Sequence, residues 1–217
     1  MNNINHIETL TDAVSPQICR ALYHSVLQEN LYAQGILDNK GDSIHEMKTV
    51  ENKEVRYVMC GTDYRQPDVV NSIIQTLVER VVEPRYMTTV HFWEWPQLLV
   101  YPPDGGHYKP HYDGEYYFEN EGWKKIADRD ITMLLYLNDE YEGGEVVFPD
   151  LGITIRPKAG QVLCFPSNRH FRHGVNPVTS GERRVLVCWM AVWGEQRVVP
   201  FPPRIQHVVR GQYKAVK

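Results

Sequence analysis

Apolar residues repeat at helical spacing in two stretches of the N-terminal part, residues 1–85. The first stretch, residues 16–30, follows Ser15 and begins with a proline, and both residue types are favoured where a helix starts. The second stretch, residues 67–83, carries apolar residues every three or four positions and precedes Pro84, which is expected to stop a helix. The pattern therefore predicts two amphipathic helices in this part of the chain.

From residue 86 onward the pattern changes to short runs that are rich in β-branched and aromatic residues and separated by Gly, Pro, Asn and Asp. The runs are MTTVHFW, QLLVY, HYKPHYD, ITMLLYL, GEVVF, ITIRP, QVLCF and RRVLVCWMAVW. Many short strands at close intervals indicate a sandwich or barrel, and together with the helices they suggest helices packed outside a jelly roll. We expect a mainly β fold with flanking α-helices. It would form one domain over residues 1–217, with a helical part (1–85), a jelly-roll core (86–194) and a C-terminal tail (195–217).

Composition and charge narrow the class of protein. Apolar residues make up 42% and charged residues 23% of the chain, close to averages for globular proteins. The net charge of -4 gives no broad cationic field for nucleic acid or an anionic membrane surface. We find no targeting sequence and no run of transmembrane length, so we expect a cytoplasmic protein. The cysteines have no CxxC spacing and are predicted to be reduced and buried: Cys19, Cys60, Cys164 and Cys188.

Candidate metal ligands lie in the second half of the chain. His111 and Asp113 are two residues apart in an extended run, so both side chains are expected on one face. His173, on a later strand, would complete a set of two imidazoles and one carboxylate, which suits non-haem Fe(II) with open positions. The His-x-Asp pair alone is weak evidence, because such a pair is more often part of a solvated turn.

Several motifs accompany these ligands within residues 101–189. They are VYPPDGGHYKPHYD, ITMLLYLND, EGGEVVFP, IRPKAGQVLCFPS and HGVNPVTSGERR. Together they resemble the catalytic core of prolyl 4-hydroxylase-type Fe(II)/2-oxoglutarate-dependent dioxygenases. The resemblance implies a double-stranded β-helix, which is a jelly roll of cupin-like form, with Fe(II) as cofactor, 2-oxoglutarate and O2 as cosubstrates, and ascorbate as a candidate accessory. It also implies hydroxylation of an unactivated C–H bond, with conversion of 2-oxoglutarate and O2 to succinate and CO2.

The resemblance also assigns roles to individual residues. His111, Asp113 and His173 would hold the iron. Arg183, ten residues after His173, would bind the C5 carboxylate of 2-oxoglutarate, while its neighbour Arg184 is expected on the opposite face of the strand. By the same resemblance, Tyr136 would assist at the C5 carboxylate and Tyr101 would lie near the C1 end, although for a strand tyrosine taken alone a place in the core is the better interpretation.

Competing interpretations follow from the same motifs. His107 and His170 are close to the ligands in sequence but lack the family spacing, so we expect them in loops or around the ligands. A carboxylate at Asp113 favours hydroxylation over halogenation, and Thr179 stands where nucleic-acid demethylases carry an arginine. The remaining alternatives are a non-catalytic cupin-like protein that binds metal or 2-oxoglutarate, and another oxidation on the same iron, such as desaturation or cyclisation.

Substrate recognition is the least determined property. Two segments that look structureless, residues 31–65 and 114–129, are expected to border the iron. The second contains aromatic residues that could contact a substrate or pack the segment onto the core: Tyr116, Tyr117, Phe118 and Trp123. A prolyl residue of a peptide, a free amino acid and a natural-product intermediate all remain open as substrates. The oligomeric state is also open, with a homodimer as one option, and so is the role of the tail.

Overall fold

The computed structural model describes residues 6–38, 48–198, 207–209 and 212–214. Parts of the predicted substrate segment 31–65 and of the tail 195–217 lie outside these residues. The helical elements in the described residues are α1 (Pro16–Ser25), α2 (Pro67–Leu77), a π-helical segment (Val78–Val82), α3 (Glu83–Tyr86) and two 3-10 turns (Gln28–Asn30 and Pro149–Leu151). None of these helices is long and apolar enough to span a membrane.

The strands are numbered in chain order. In the first half of the chain they are β1 (Glu8–Leu10), β2 (Tyr32–Ala33), β3 (Ile36–Asp38), β4 (Lys48–Val50), β5 (Arg56–Tyr57), β6 (Met59–Gly61), β7 (Val90–Glu94), β8 (Gln97–Tyr101) and β9 (His107–His111). The hairpin and central strands are β10 (Glu115–Phe118), β11 (Gly122–Lys125), β12 (Ile131–Tyr136), β13 (Glu142–Gly143), β14 (Val146–Phe148) and β15 (Ile153–Ile155). The last strands are β16 (Val162–Pro166), β17 (His173–Val175), β18 (Val178–Ser180), β19 (Arg183–Val192), β20 (His207–Val209) and β21 (Gln212–Lys214).

Two antiparallel sheets build the jelly roll. The larger has the order β1-β16-β12-β19-β7-β20-β21, and β19 also pairs with β8, which continues to β6 and β2. The smaller has the order β15-β14-β17-β9-β5. Three two-stranded pairs, β3-β4, β10-β11 and β13-β18, complete the described strands. The expected mainly β fold with flanking helices is confirmed.

Alternation along the central strands separates two apolar cores. In β12, Ile131, Met133 and Leu135 pack in the core shared with the helices, whereas Leu134 and Tyr136 pack in the core between the sheets. This is the period-two geometry of a strand that is buried on both faces. A residue's position in β12, β16 or β19 therefore decides whether it meets a helix or the interior of the jelly roll.

The helix predictions are confirmed at their starts and corrected at their ends. Ser15 caps α1 and accepts a hydrogen bond from the backbone N–H of Ile18. The prediction that Pro84 stops the second helix was wrong, because the chain continues through the π-helical segment into α3. Pro84 occupies the first turn of α3, where a missing N–H is tolerated. The helical path ends at Met87, whose φ of 47° is left-handed.

The N-terminal part is less purely helical than expected. Strand β1 extends the larger sheet by pairing with β16, β6 pairs with β8, and β5 pairs with β9 in the smaller sheet. Each has only two or three residues, which is too short to show an alternating pattern in sequence. Their structure comes from pairing with strands that are distant in the chain. The four cysteines are buried and free, as predicted.

Candidate active site

Three potential metal ligands converge where β9 meets β17. His111 and His173 are directly opposite each other in the antiparallel register, and their ring centres are 4.4 Å apart. Asp113, two residues after His111, places one carboxylate oxygen 3.4 Å from His111 Nε2 and the other 3.6 Å from His173 Nε2. One ligand atom from each residue lies within 4.8 Å of the others. Cross-strand pairing and the i, i+2 spacing thus bring the predicted triad together.

The backbone fixes which nitrogen of each imidazole is available. His111 Nδ1 lies 3.0 Å from the carbonyl oxygen of Lys109, and His173 Nδ1 lies 3.1 Å from that of Phe171. A carbonyl can only accept a hydrogen bond, so each Nδ1 carries the proton and each Nε2 presents a lone pair. Both lone pairs are therefore free to bind a metal ion at the side where Asp113 stands.

Burial sets the charge at this site. Burial lowers the pKa of His173 to about 4, so its imidazole is neutral at neutral pH. Burial acts to raise the pKa of Asp113, but the neighbouring imidazoles hold it well below its usual range. The imidazolium attraction from His173 operates only in acid, because that ring is neutral near pH 7. At neutral pH Asp113 is therefore a buried carboxylate beside a neutral ring. A buried charge is unfavourable unless it is paired, so a bound cation would stabilise this site.

Two hydroxyl groups, those of Thr132 and Ser167, form a chain of hydrogen bonds that ends at the Asp113 carboxylate. Thr132 Oγ1 donates to Asp113 Oδ2 at 2.7 Å and lies 2.8 Å from Ser167 Oγ. Thr132 is fully buried, and Ser167 is 2% exposed. These contacts fix the carboxylate in one orientation. Such outer partners commonly orient metal ligands in proteins.

The predicted cosubstrate anchor lies deep between the sheets. Arg183 opens β19 opposite Tyr101 of β8, and its side chain is 1% exposed. The guanidinium carbon is 4.6 Å from the centre of the Tyr101 ring and 5.2 Å from that of Tyr136. Among the described residues, no hydrogen-bond partner meets Nε, Nη1 or Nη2 of Arg183, or the hydroxyl of Tyr136. A carboxylate in fork geometry would satisfy these donors.

One cavity joins the triad to this anchor. It has a volume of about 750 Å³, and its walls include His111, Asp113, His173 and Arg183. Its lining also includes apolar strand residues: Leu99, Leu134, Val146, Val175, Val185 and Val187. A dicarboxylate with one end on a metal ion and the other on Arg183 therefore has a continuous path. The two imidazole donors, the carboxylate and the orphaned guanidinium fit Fe(II) and 2-oxoglutarate together.

The sequence around this site resembles that of known proteins. Residues 96–191 match the family model of the 2OG-Fe(II) oxygenase superfamily. The matched stretch, here termed the oxygenase core, contains all three triad residues and Arg183.

Among the curated proteins that this chain resembles are prolyl hydroxylases. Prolyl 3-hydroxylase 2 of Rattus norvegicus is 37% identical over 81 residues, which cover 34% of this chain and 12% of that protein. Probable prolyl 4-hydroxylase 3 of Arabidopsis thaliana is 31% identical over 154 residues, which cover 59% of this chain and 52% of that protein. The chain therefore spans about an eighth of the first relative and about half of the second.

Solved structures establish the fold. The viral collagen prolyl hydroxylase of Paramecium Bursaria Chlorella virus-1 superposes with a TM-score of 0.60 at 20% identity, covering 87% of this chain and 97% of that one. A prolyl hydroxylase from Trichoplax adhaerens, in complex with a hypoxia inducible factor peptide, gives 0.66 at 20% identity, with coverage of 87% and 84%. The fold around the oxygenase core is the double-stranded β-helix that the motifs predicted.

Residues outside the triad follow the predicted division of faces. Arg184 points away from Arg183, with its guanidinium carbon 4.0 Å from the Tyr23 ring of α1 and Nη2 2.8 Å from Glu182. His107 faces backbone carbonyls of Gly105 and Glu54, and neither it nor the exposed His170 joins the triad. The Tyr101 ring lies beside Arg183, and its contact with the C1 end of 2-oxoglutarate stays a prediction.

The segment 114–129 is a hairpin and was wrongly expected to be structureless. β10 and β11 pair over their full length, and the base closes through hydrogen bonds from Gly114 N–H to Ser167 O (2.8 Å) and from Ile126 N–H to Gly114 O (2.9 Å). Its aromatic residues differ in their surroundings, and contact with a substrate stays a prediction. Trp123 packs edge-on against Tyr112 and Tyr117, while Tyr116 lines the cavity.

One further contact with the triad, and a second contact behind it, were not predicted from the sequence. Tyr108 stacks on His111 at a ring distance of 3.5 Å, and the Arg56 guanidinium carbon lies 4.3 Å from the Tyr108 ring centre. Both residues stand opposite each other in the β5-β9 register. The i, i+3 spacing of Tyr108 and His111 gave no signal for a strand, because a bulge in the β9-β17 pairing alters the alternation there.

A buried ion pair forms the adjoining wall of the cavity. Arg129 binds the carboxylate of Glu94 through Nε (2.5 Å) and Nη2 (2.8 Å), and Nη1 reaches the backbone oxygen of Asp113 at 3.4 Å. Its guanidinium carbon is 3.8 Å from the Trp189 ring centre. The sequence signal was an acidic residue inside the apolar strand β7, which calls for a basic partner.

Proposed function

We propose that this chain is an Fe(II)- and 2-oxoglutarate-dependent dioxygenase that hydroxylates a C–H bond of a prolyl residue. The observation that carries the proposal is the single cavity that holds a His-Asp-His triad together with a buried guanidinium lacking a partner in the described residues. A metal-binding protein without a cosubstrate would have no use for an unpaired arginine at that depth, because burying it is unfavourable.

Each residue group has a distinct task in this function. His111, Asp113 and His173 would hold the iron, which, with 2-oxoglutarate and O2, supplies the oxidising chemistry that yields succinate and CO2. Arg183 and Tyr136 would bind the distal carboxylate and thereby orient the cosubstrate toward the triad. The apolar walls between anchor and triad would exclude water from the reacting groups.

The substrate assignment has two lines of support. The curated relatives described above are named prolyl hydroxylases. The cavity lining also includes Tyr112 and, from the hairpin segment, Tyr116 and Ile126, whose apolar surfaces suit a pyrrolidine ring. Free amino acids and other oxidations remain the alternatives that the experiment separates. The cytoplasmic location, the use of ascorbate and the homodimer stay predictions.

The experiment measures succinate and product together. Protein purified without oxygen is loaded with Fe(II), then given 2-oxoglutarate, O2 and one substrate from a panel of proline peptides, free proline, other amino acids and small metabolites. We expect succinate to rise with proline peptides and a hydroxylated peptide to appear by mass spectrometry. His111→Ala, which removes one ligand, should produce neither.

Other outcomes would redirect the proposal. Succinate formation with free amino acids alone would replace the peptide by a small substrate. A product lighter than the substrate by two hydrogens would indicate desaturation or cyclisation. No consumption of 2-oxoglutarate by the iron-loaded protein across the whole panel would favour the non-catalytic binding protein.

A further inference from the structure

A third tyrosine stands beside the anchor and was not among the predicted site residues. Tyr141 follows β12 and precedes β13, and its side chain is 4% exposed. Its hydroxyl, like that of Tyr136 and the three nitrogens of Arg183, is buried without a hydrogen-bond partner among the described residues. Buried polar groups are nearly always paired in native proteins. A cluster of unpaired groups in one place therefore points to a missing polar ligand.

The local backbone holds Tyr141 against Arg183. A Cβ added to Gly144 would lie 2.9 Å from Arg183 Cδ and 3.2 Å from Tyr141 Cε2, so both side chains lie close beside Gly144 and leave no room for a larger residue. Gly144 has a φ of 66°, which a glycine adopts without strain. From outside, Arg156 Nη2 donates to the backbone oxygen of Tyr141 at 3.0 Å. The backbone around Tyr141 is thus held in place, while no acceptor in the described residues meets its hydroxyl.

The hydroxyl of Tyr141 is suited to donate to an anion. Burial raises its pKa, and the nearby Arg183 guanidinium offsets only part of that rise. The hydroxyl therefore keeps its proton at neutral pH. An ionised carboxylate offers about four lone-pair positions, of which the arginine fork takes two. Two positions remain, which matches the two unpaired hydroxyls of Tyr136 and Tyr141.

We propose that Tyr141 is a positioning residue that donates a hydrogen bond to the distal carboxylate of 2-oxoglutarate and so sets the affinity for that cosubstrate. The proposal rests on the proposed function, because it needs 2-oxoglutarate to bind at Arg183. The proposed role and a purely structural role predict different effects of removing the hydroxyl on the stability of the free protein. A hydroxyl that serves only a ligand contributes nothing to the fold of the free protein.

The experiment compares Tyr141→Phe with Tyr64→Phe. Tyr64 is a matched control because it is also a buried tyrosine, and its hydroxyl donates to the backbone oxygen of Pro96 at 2.7 Å. Each variant is loaded with Mn(II) in place of iron, and 2-oxoglutarate is titrated in a calorimeter. Melting temperatures are measured without the cosubstrate.

We expect opposite effects from the two variants. Tyr141→Phe should raise the Kd of 2-oxoglutarate on the order of tenfold, the loss expected for one hydrogen bond to a charged group, and leave the melting temperature equal or higher. Tyr64→Phe should lower the melting temperature and leave the Kd unchanged. Tyr141→Leu, a second variant that also lacks the hydroxyl, should show at least the same loss of affinity.

The controls separate failure of this inference from failure of the proposed function. If the wild type binds 2-oxoglutarate and Tyr141→Phe binds it equally well, the role of Tyr141 is overturned while the oxygenase proposal stands. If Tyr141→Phe loses stability and keeps its affinity, the residue is structural. If the Mn(II)-loaded wild type binds no 2-oxoglutarate, the proposed function itself fails, and the role of Tyr141 with it.

Discussion

The two ends of the cavity are built in opposite ways. At the triad, each imidazole has a hydrogen-bonded Nδ1 and the Asp113 carboxylate accepts from Thr132, so the ligands are oriented before any metal arrives. At the anchor, Arg183 and two tyrosine hydroxyls are buried with no partner in the described residues. Both ends bury a charge that lacks a counter-ion in the described residues, but only the anchor also leaves its hydrogen-bonding groups without partners there. The difference indicates that the anchor is shaped for a ligand that brings its own oxygen atoms.

The largest expected effect comes from replacing Arg183 by Met. The affinity for 2-oxoglutarate should fall on the order of a hundredfold or more, because at least two charge-assisted hydrogen bonds are lost. The free energy of unfolding of the protein without cosubstrate should rise by about 1 to 4 kcal/mol, since an uncompensated buried charge is removed. Calorimetric titration and urea unfolding measure the two quantities. A loss of stability would contradict the view that the anchor is strained without its ligand.

An intermediate effect is expected at the triad end from Thr132→Val. The isosteric change removes the hydroxyl that orients Asp113, and the affinity for Mn(II) or Fe(II) should fall by about 10- to 100-fold, as for other outer partners of metal ligands. Thr132→Ser is the control, since it restores the hydroxyl and should restore most of the affinity. Unchanged metal affinity in Thr132→Val would show that Asp113 needs no such support.

The smallest effect is expected from Arg184→Met, one residue from the anchor. Its ion pair with Glu182 is partly exposed, so the stability should change by about 1 kcal/mol or less. The Kd of 2-oxoglutarate should stay at the wild-type value, because Arg184 faces α1. A loss of affinity comparable with that of Arg183→Met would mean that the two faces of β19 have been assigned wrongly.

Sequence reasoning succeeded where local spacing and strand alternation decide the geometry. The i, i+2 spacing placed His111 and Asp113 together, and alternation in β19 separated Arg183 from Arg184. It failed where pairing between distant segments decides. The strands of the N-terminal part were missed for that reason, and Pro84 was misjudged because the π-helical segment before it could not be foreseen.

The supporting residues of the site show the same limit. Thr132 stands out as a polar residue in an apolar strand, so its face could be predicted, but its contact with Asp113 depends on how β12 lies against β9. Tyr141 belongs to no regular strand, and the contact with Arg183 comes from the turn at Gly144. Both were therefore visible only in three dimensions.

The closed base of the β10-β11 hairpin has a consequence for protein engineering. Gly114 bonds at once to Ser167 and Ile126, so the two ends of the hairpin are fastened to the core independently of its tip. Tyr116 and Ile126, on the two sides of the hairpin, line the cavity, so these two positions can be varied in a library for new substrates while the backbone bonds at the base keep Asp113 in its place. Selection on such a library would change the wall of the cavity and leave the triad and Arg183 unchanged.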